Sequence, residues 1–254
     1  MLYAVIVIGS WLMTTCGIFV FLTLSNTGKP AEYGRYSNPS PSKSMIPAKL
    51  AWMTQESPAF FIPFYFYWTD QHLTEYGKFL TCVFLFYYAY RTFAYPLLIR
   101  SKNETPFEIV LMKFLFCIFN GFIQGSWNAY YQPEIDKFHP RFFVFFGIWL
   151  FVIGFIIHCI SDLHLISFRY NLPNDTYSIP RGHLFEYISC PNYFGECLQW
   201  IGYAISTRSF PAIAFAFFVV CNIAPRAASH HECYKKKFGA QYPNDRMALL
   251  PGLW

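Results

Sequence analysis

The sequence predicts an all-α, polytopic membrane protein, with seven transmembrane helices in one bundle that forms a single membrane-embedded domain over 1–254. Three observations carry this. Of 254 residues, 55% are hydrophobic, 22% aromatic and only 13% charged, whereas a soluble globular domain has about 25% charged residues. The apolar residues gather into runs of about 20, the length a helix needs to cross the hydrocarbon. The basic residues fall mainly in alternate connections between those runs.

In chain order, the first run, 2–24, is as long as a signal-peptide core. It lacks a basic leader and a clear small-residue cleavage site, so it is expected to stay as an anchor. The second, 48–67, is thinned by Gln55, Glu56 and Pro58. The third, 77–98, carries Tyr88, Arg91 and Tyr95 at helical steps of three and four, and the fourth, 107–128, is largely apolar. The fifth, 142–167, holds His158 and Asp162, with Arg169 just beyond. The sixth, 184–206, contains Asn192 and Glu196 beside Pro191, whose missing N–H frees a carbonyl. The seventh, 208–226, leads into a polar tail, 227–254.

One set of alternate connections holds Lys29, Arg35, Lys43 and Lys49; Arg100 and Lys102; Arg169 and Arg181; and Arg226, Lys235, Lys236, Lys237 and Arg246. The other set holds only Lys78, Lys137, Arg141 and Arg208. The positive-inside rule makes the first set cytosolic, which leaves the N-terminus lumenal or outside and the C-terminal tail cytosolic. The sequons at Asn103 and Asn174 then face the cytosol and stay unglycosylated.

Several classes are disfavoured. The eight cysteines are scattered, mostly in apolar segments, without a C-x-x-C pair and read as reduced, buried thiols. No H-E-x-x-H occurs, and His230-His231-Glu232 lacks metal-ligand spacing, so no metal is expected. There is no G-x-G-x-x-G turn, P-loop or serine elbow, so any nucleotide must be held by side chains on helices. The net charge of +5 comes without the basic and aromatic interleaving that nucleic acid requires.

The polar side chains form stripes. His158, Asp162 and Arg169 lie within roughly 40° on an ideal helix, Asn192 and Glu196 are one turn apart, and Arg226, His230 and Tyr234 recur at four-residue steps. Ionisable groups in hydrocarbon are costly and mark sites by default. Intrahelical ladders, or an ordinary basic flank in the last case, are the alternatives. The stripes concentrate toward the inferred cytosolic side, where converging arginines suit an anionic, water-borne cofactor. Glu56 lies among Trp52, Met53, Phe60 and Phe61; desolvation there favours the neutral acid, which can donate a hydrogen bond and polarise a carbonyl. The alternative is that Glu56 pairs with an arginine or sits at the interface beside Lys49.

The segments Gln55-Glu56-Ser57-Pro58, Tyr88-Ala89-Tyr90-Arg91-Thr92-Phe93 with Tyr95, Ser161-Asp162 and Ile179-Pro180-Arg181-Gly182 resemble the membrane steroid 5α-reductases. So do Leu184-Phe185-Glu186-Tyr187, Asn192-Tyr193-Phe194-Gly195-Glu196, Trp200-Ile201-Gly202-Tyr203-Ala204, and Arg226-Ala227 through His230-His231-Glu232 to Tyr234. The similarity runs in order over essentially the whole chain, from Lys29-Pro30 and Tyr33-Gly34 onward. It implies a multi-pass endoplasmic reticulum enzyme that uses NADPH to reduce the 4,5 double bond of a 3-oxo-Δ4-steroid. On this resemblance Glu56 and Tyr88 fall on the donors to the 3-oxo group. Trp52 falls beside the steroid and nicotinamide, with Gln55 next to the catalytic acid. Arg91, Tyr95, Asp162, Arg169, Tyr177, Asn192, Glu196, Arg226, His230 and Tyr234 fall on positions lining NADPH.

The chain departs from the family where Asn is usual at His158, where a basic residue is usual at Ser178, and at Ile99 and Ala31; Arg100 and Lys102 stand near to compensate. The steroid is expected from the lipid, the cofactor from the cytosol, and no obligate protein partner is implied. The rivals are reductases of other lipid alkenes (enoyl thioesters, polyprenols), the isoprenylcysteine methyltransferases, and a non-catalytic transporter or scaffold. The Gln55-Glu56 and Tyr88 pair favours the 3-oxosteroid.

Overall fold

Only a helix or a closed barrel satisfies every backbone N–H and C=O in a hydrocarbon medium, and long apolar runs without strand alternation become helices. The computed structural model describes residues 1–27, 44–71, 73–99, 104–133, 141–170 and 178–252, without the side chains of residues 169 and 170. Its helices are α1 (Leu2–Thr27), α2 (Ala48–Thr69), α3 (Glu75–Ala89), α4 (Tyr95–Leu98), α5 (Phe107–Tyr130), α6 (Arg141–Tyr170), α7 (Pro191–Thr207) and α8 (Phe210–Phe238). A π-helical turn, Tyr90–Ala94, joins α3 to α4. A short antiparallel pair, β1 (Met45–Pro47) with β2 (Glu104–Pro106), precedes α2 and α5 and starts those two helices side by side.

Among the described residues, four helices are long and apolar enough to cross a membrane: Leu2–Thr27, Phe107–Tyr130, Arg141–Phe168 and Phe210–Gln241. The second, third and sixth expected runs are helical as well, but polar side chains or short length keep them below that standard. Two boundaries differ from the sequence expectation. The sixth run, expected from residue 184, becomes helical only at Pro191, after a 3₁₀ turn at His183–Glu186; proline fits the first turn of a helix, where its missing N–H costs nothing. The last helix does not end at 226 but continues to Phe238. Hydropathy falls there, yet Ala227, His231 and Tyr234 are buried, so tertiary packing sustains the helix. The chain beyond it is no loose tail: it turns back and pairs Met247 with Ile188.

The tightest contact is between α6 and α7. A Cβ on Gly195 would lie 2.5 Å from the His158 nitrogen, and one on Gly202 would lie 2.5 Å from the Gly147 carbonyl oxygen and the Phe151 nitrogen. Only glycine lets two helix backbones approach so closely in the absence of a hydrophobic drive between helices. The consequence is functional, because the polar stripe of α6 is pressed against the polar stripe of α7. Trp200 anchors the centre, with ring centroids 4.6 Å from Phe215, 4.8 Å from Tyr87 and 5.6 Å from Phe84. Phe142, Phe145 and Trp149 of α6 stay exposed, as a lipid-facing side requires.

Candidate active site

Helical steps of three and four put Ala51, Gln55, Glu56, Ala59 and Pro63 on the buried side of α2. Pro58 deprives the Thr54 carbonyl of its helical donor, and the Ser57 hydroxyl donates to that oxygen instead, at 2.9 Å. Glu56 is 2% exposed. Its partners come from α5: the Lys113 ammonium 3.7 Å from Oε1, and the Cys117 thiol, which donates to Oε2 at 3.6 Å. Glu56 therefore has a cationic partner, as one reading of the sequence allowed, but it is a lysine inside the fourth run rather than Lys49 or an arginine. Alongside, a Cβ on Gly121 would meet the Pro58 carbonyl at 3.0 Å, so small side chains keep α2 and α5 in close contact.

Tyr88 is buried, and its hydroxyl oxygen accepts from Asn120 Nδ2 at 3.3 Å. That leaves the phenolic proton free for another acceptor. Its neighbour Tyr87 donates to Glu196 Oε1 at 3.1 Å. The π-helical turn that follows adds a residue to the helical register, a device that recurs at functional sites, and here it aims Arg91. The Arg91 guanidinium lies 4.4 Å over the Trp52 ring and 4.9 Å over that of Tyr95. The two rings meet edge-on with centroids 5.2 Å apart.

Asp162 is the hub of the second half of the site. Its oxygens face Arg91 at 3.8 Å, His158 Nε2 at 3.4 Å and Asn192 Nδ2, a donor at 3.0 Å. His158 Nδ1 lies 3.0 Å from the Asn192 carbonyl oxygen. Four of the residues singled out in the sequence, from three segments, are thus in one network. On α8, Arg226 is half-buried, and His230 lies 3.3 Å from the Tyr193 hydroxyl. Tyr234 is buried and stacks on Phe238 and Tyr242. Arg169 falls in the last turn of α6, where its side chain is outside the described residues, and Tyr177 lies outside them altogether.

One cavity holds Glu56, Tyr88 and Glu196, whereas Trp52, Arg91, Tyr95, His158, Asp162, Asn192, Arg226, His230 and Tyr234 do not line it. Its wall includes Glu56, Tyr88 and Glu196 together with Tyr87, Lys113, Phe116, Trp200, Phe218 and Asn222. Gln55 is buried beside Glu56 but is not part of this wall. Sequence reasoning missed Tyr87, Lys113, Asn120 and Asn222. Tyr87 has a visible signal, since it stands four residues before Arg91. Lys113 has another, a cation inside an otherwise apolar run. The two amides have none, because an asparagine in a long helix is unremarkable until its partner is known. The donor set suits the nucleotide that the resemblance implies: a guanidinium for phosphate, amides and carboxylates for ribose and carboxamide. Asn222 Oδ1, in the cavity wall, is moreover buried without a hydrogen-bond partner among the described residues, a position from which it can accept from a ligand.

Outside the membrane helices, a clasp closes over the start of α7. Gly182, at φ 89°, turns the chain so that its N–H donates to Glu186. Arg181 lies 3.4 Å and Arg246 3.8 Å from the same carboxylate. The Gly182 N–H first, then Arg181, hold the Glu186 carboxyl below its ordinary range. Arg246 also donates to the Pro180 carbonyl at 3.2 Å. Ser189 Oγ stands 2.6 Å from both His231 Nδ1 and the Tyr242 hydroxyl, tying the returning C-terminal segment to α8.

Residues 103–254 match the family described as 3-oxo-5-alpha-steroid 4-dehydrogenase. The chain is 36% identical over 251 residues to 3-oxo-5-alpha-steroid 4-dehydrogenase 1 of Homo sapiens, covering 96% of this chain and 94% of the relative. It is 37% identical over 247 residues to 3-oxo-5-alpha-steroid 4-dehydrogenase 2 of Rattus norvegicus, with the same two shares covered. A plant protein, steroid 5-alpha-reductase DET2 of Solanum lycopersicum, is 35% identical over 230 residues, 88% of each chain.

Proposed function

Since the chain belongs to the 3-oxo-5-alpha-steroid 4-dehydrogenase family, and is a membrane oxidoreductase acting on a CH–CH bond, we propose that it reduces the 4,5 double bond of 3-oxo-Δ4-steroids with NADPH. The observation that supports this most is the joining of Glu56 and Tyr88 in one cavity wall with Glu196, next to the Asp162 network. Carbonyl-polarising groups and a polar nucleotide cradle are then adjacent, as a hydride transfer demands.

An isolated alkene accepts hydride poorly, but conjugation to a 3-oxo group carries the developing charge onto oxygen. A nicotinamide cofactor, when bound, supplies hydride to C5. Tyr88, with Asn120 donating to its oxygen, turns its own proton toward the 3-oxo oxygen. Glu56, carrying its proton as a neutral acid, donates to the same oxygen and stabilises the enolate-like charge, the kind of preorganised electrostatic term that typically dominates catalysis. C4 then takes a proton from water. Arg91, held by Asp162 and covered by Trp52 and Tyr95, binds the cofactor's phosphate side; His158, Asn192 and Glu196 position its polar edges, with Arg226, His230 and Tyr234 toward the end of α8. Arg169 and Tyr177 complete the set on the strength of the resemblance. Trp52 and Gln55 border the steroid.

The same reading gives seven membrane spans in the endoplasmic reticulum, α2, α3 and α7 joining the four apolar helices, with a lumenal N-terminus and a cytosolic C-terminus. The steroid reaches the cavity from lipid, without an obligate protein partner. Its entry requires movement. The cavity holds about 50 Å³, far less than a drug-sized ligand needs, so binding widens it at lining side chains such as Phe116 of α5 and Phe218 of α8, which stack at 4.5 Å.

The test is direct. Protein purified in detergent or nanodiscs is mixed with NADPH and a panel of 3-oxo-Δ4-steroids, enoyl thioesters and polyprenols, and products are read by mass and stereochemistry. A 5α-3-oxosteroid with stoichiometric NADPH oxidation is expected. Absence of NADPH binding, or turnover of the thioester or polyprenol alone, overturns the reading.

A further inference from the structure

Among the described residues, the cavity wall contains one basic side chain, Lys113, which the chemistry above does not use. It begins a row on α5. Lys113 and Cys117 face Glu56, Asn120 donates to Tyr88, and Gln124 donates to the Pro211 carbonyl at 2.9 Å. Both groups that face the substrate carbonyl are therefore backed by α5, but Lys113 is the member of that row that brings charge. Its stem runs along Phe116, with Nζ 5.4 Å from the ring centroid. Its side chain is 39% exposed, whereas that of Glu56 is 2% exposed.

The spacing matters. Nζ lies 3.7 Å from Glu56 Oε1, longer than the roughly 2.8 Å of a charge-assisted hydrogen bond. Both side chains line the same cavity, so a substrate oxygen entering it meets the two together. A lysine retained only for stability is poorly explained here, because its side chain is 39% exposed and a contact with so exposed a partner contributes little. An ammonium beside an oxygen that gains negative charge during the reaction is a different matter, since its attraction grows as the transition state is reached.

We propose that Lys113 is a further catalytic residue of this chain, its ammonium group stabilising the charge that develops on the substrate's carbonyl oxygen together with Tyr88 and Glu56. This rests on the reading of the enzyme as a reductase of conjugated ketones. Lys113 keeps its proton throughout; it forms and breaks no covalent bond.

Lys113→Met and Lys113→Arg are compared with the unmodified enzyme by three measurements: NADPH affinity, kcat and KM for a 3-oxo-Δ4-steroid, and the ultraviolet band of the bound enone in the NADP⁺ complex. Lys113→Met is expected to bind NADPH within about twofold of the parent, to lose at least about tenfold in kcat, the ratio one interaction of about 1.4 kcal/mol gives, and to lose red shift in the enone band. Lys113→Arg restores most of both. If Lys113→Met fails to bind NADPH, Lys113→Gln is read by the same criteria. The proposal is overturned if the uncharged variant keeps its kcat and band position, or if Lys113→Arg is no better than Lys113→Met. An unmodified enzyme that turns over no enone overturns the underlying reading instead.

Discussion

Glu56 shows what a single residue reveals before and after folding. Its apolar sequence neighbours marked it as desolvated, and the structure leaves it 2% exposed. Its nearest cation, Lys113, comes from a distant stretch of the chain and could not be paired with it by spacing. If Glu56 acts on the substrate carbonyl, Glu56→Gln, which still donates, should retain more turnover than Glu56→Leu. The leucine variant is expected to fall by about a hundredfold or more in kcat, the scale for removing one donor to a developing oxyanion, with NADPH affinity kept in both. Equal activity in the three proteins, measured by steady-state kinetics, would remove Glu56 from the chemistry. Arg226→Ala should instead weaken NADPH binding, by about tenfold for the loss of one charge-assisted contact, and leave steroid KM little changed; fluorescence titration of NADPH reads this. A change in steroid KM alone would show that the α8 stripe was misassigned. His158, Asp162, Asn192 and Glu196 were legible because one-turn spacing puts each pair on a common face. Lys113, Asn120 and Asn222 were not, because each gains its meaning from a partner on another helix.

The helices divide the work in ways that follow from their surfaces. The glycines between α6 and α7 let Asp162 meet Asn192, so Gly195→Ala forces a Cβ to within 2.5 Å of the His158 nitrogen. Overpacking of this kind costs about 1–3 kcal/mol. The variant is expected to melt at lower temperature and to bind NADPH more weakly, whereas wild-type values in a thermal shift assay with and without NADPH would mean that this contact does not set the cradle. The clasp between 178–190 and the C-terminal segment carries a pH dependence of defined sign. The folded state lowers the pKa of Glu186, so its contribution is complete above the ordinary value of 4.5 and is lost as pH falls through the lower folded value. Hydrogen exchange of residues 178–190 should therefore quicken at acid pH in the unmodified protein and show a weaker dependence in Glu186→Gln. Identical acid profiles would detach the clasp from this carboxylate. Helix limits were read less well than helix existence. Hydropathy ended the last run at 226, while buried Ala227, His231 and Tyr234 carry the helix to Phe238.

At the scale of the molecule, apolar runs make a helical membrane protein in which, among the described residues, four helices qualify as spans on length and composition, while polar helices hold much of the candidate site. If the basic connections are cytosolic, the sequons at Asn103 and Asn174 remain unmodified in microsomes, and an endoglycosidase leaves the protein's gel mobility unchanged. A mobility shift would invert the orientation. The sequence by itself determined the helical class, the approximate positions of the runs and the polar stripes, because periodicity and hydropathy are properties of neighbours along the chain. The tertiary structure alone decided that Glu56 meets Lys113, that Tyr88 is backed by Asn120, that the π-helical turn aims Arg91 toward Asp162, and that the segment after α8 returns to close on Ile188. Those pairings depend on which helix faces lie against each other. Glycine contacts between α6 and α7 and between α2 and α5 set that arrangement, and no one-dimensional spacing records it.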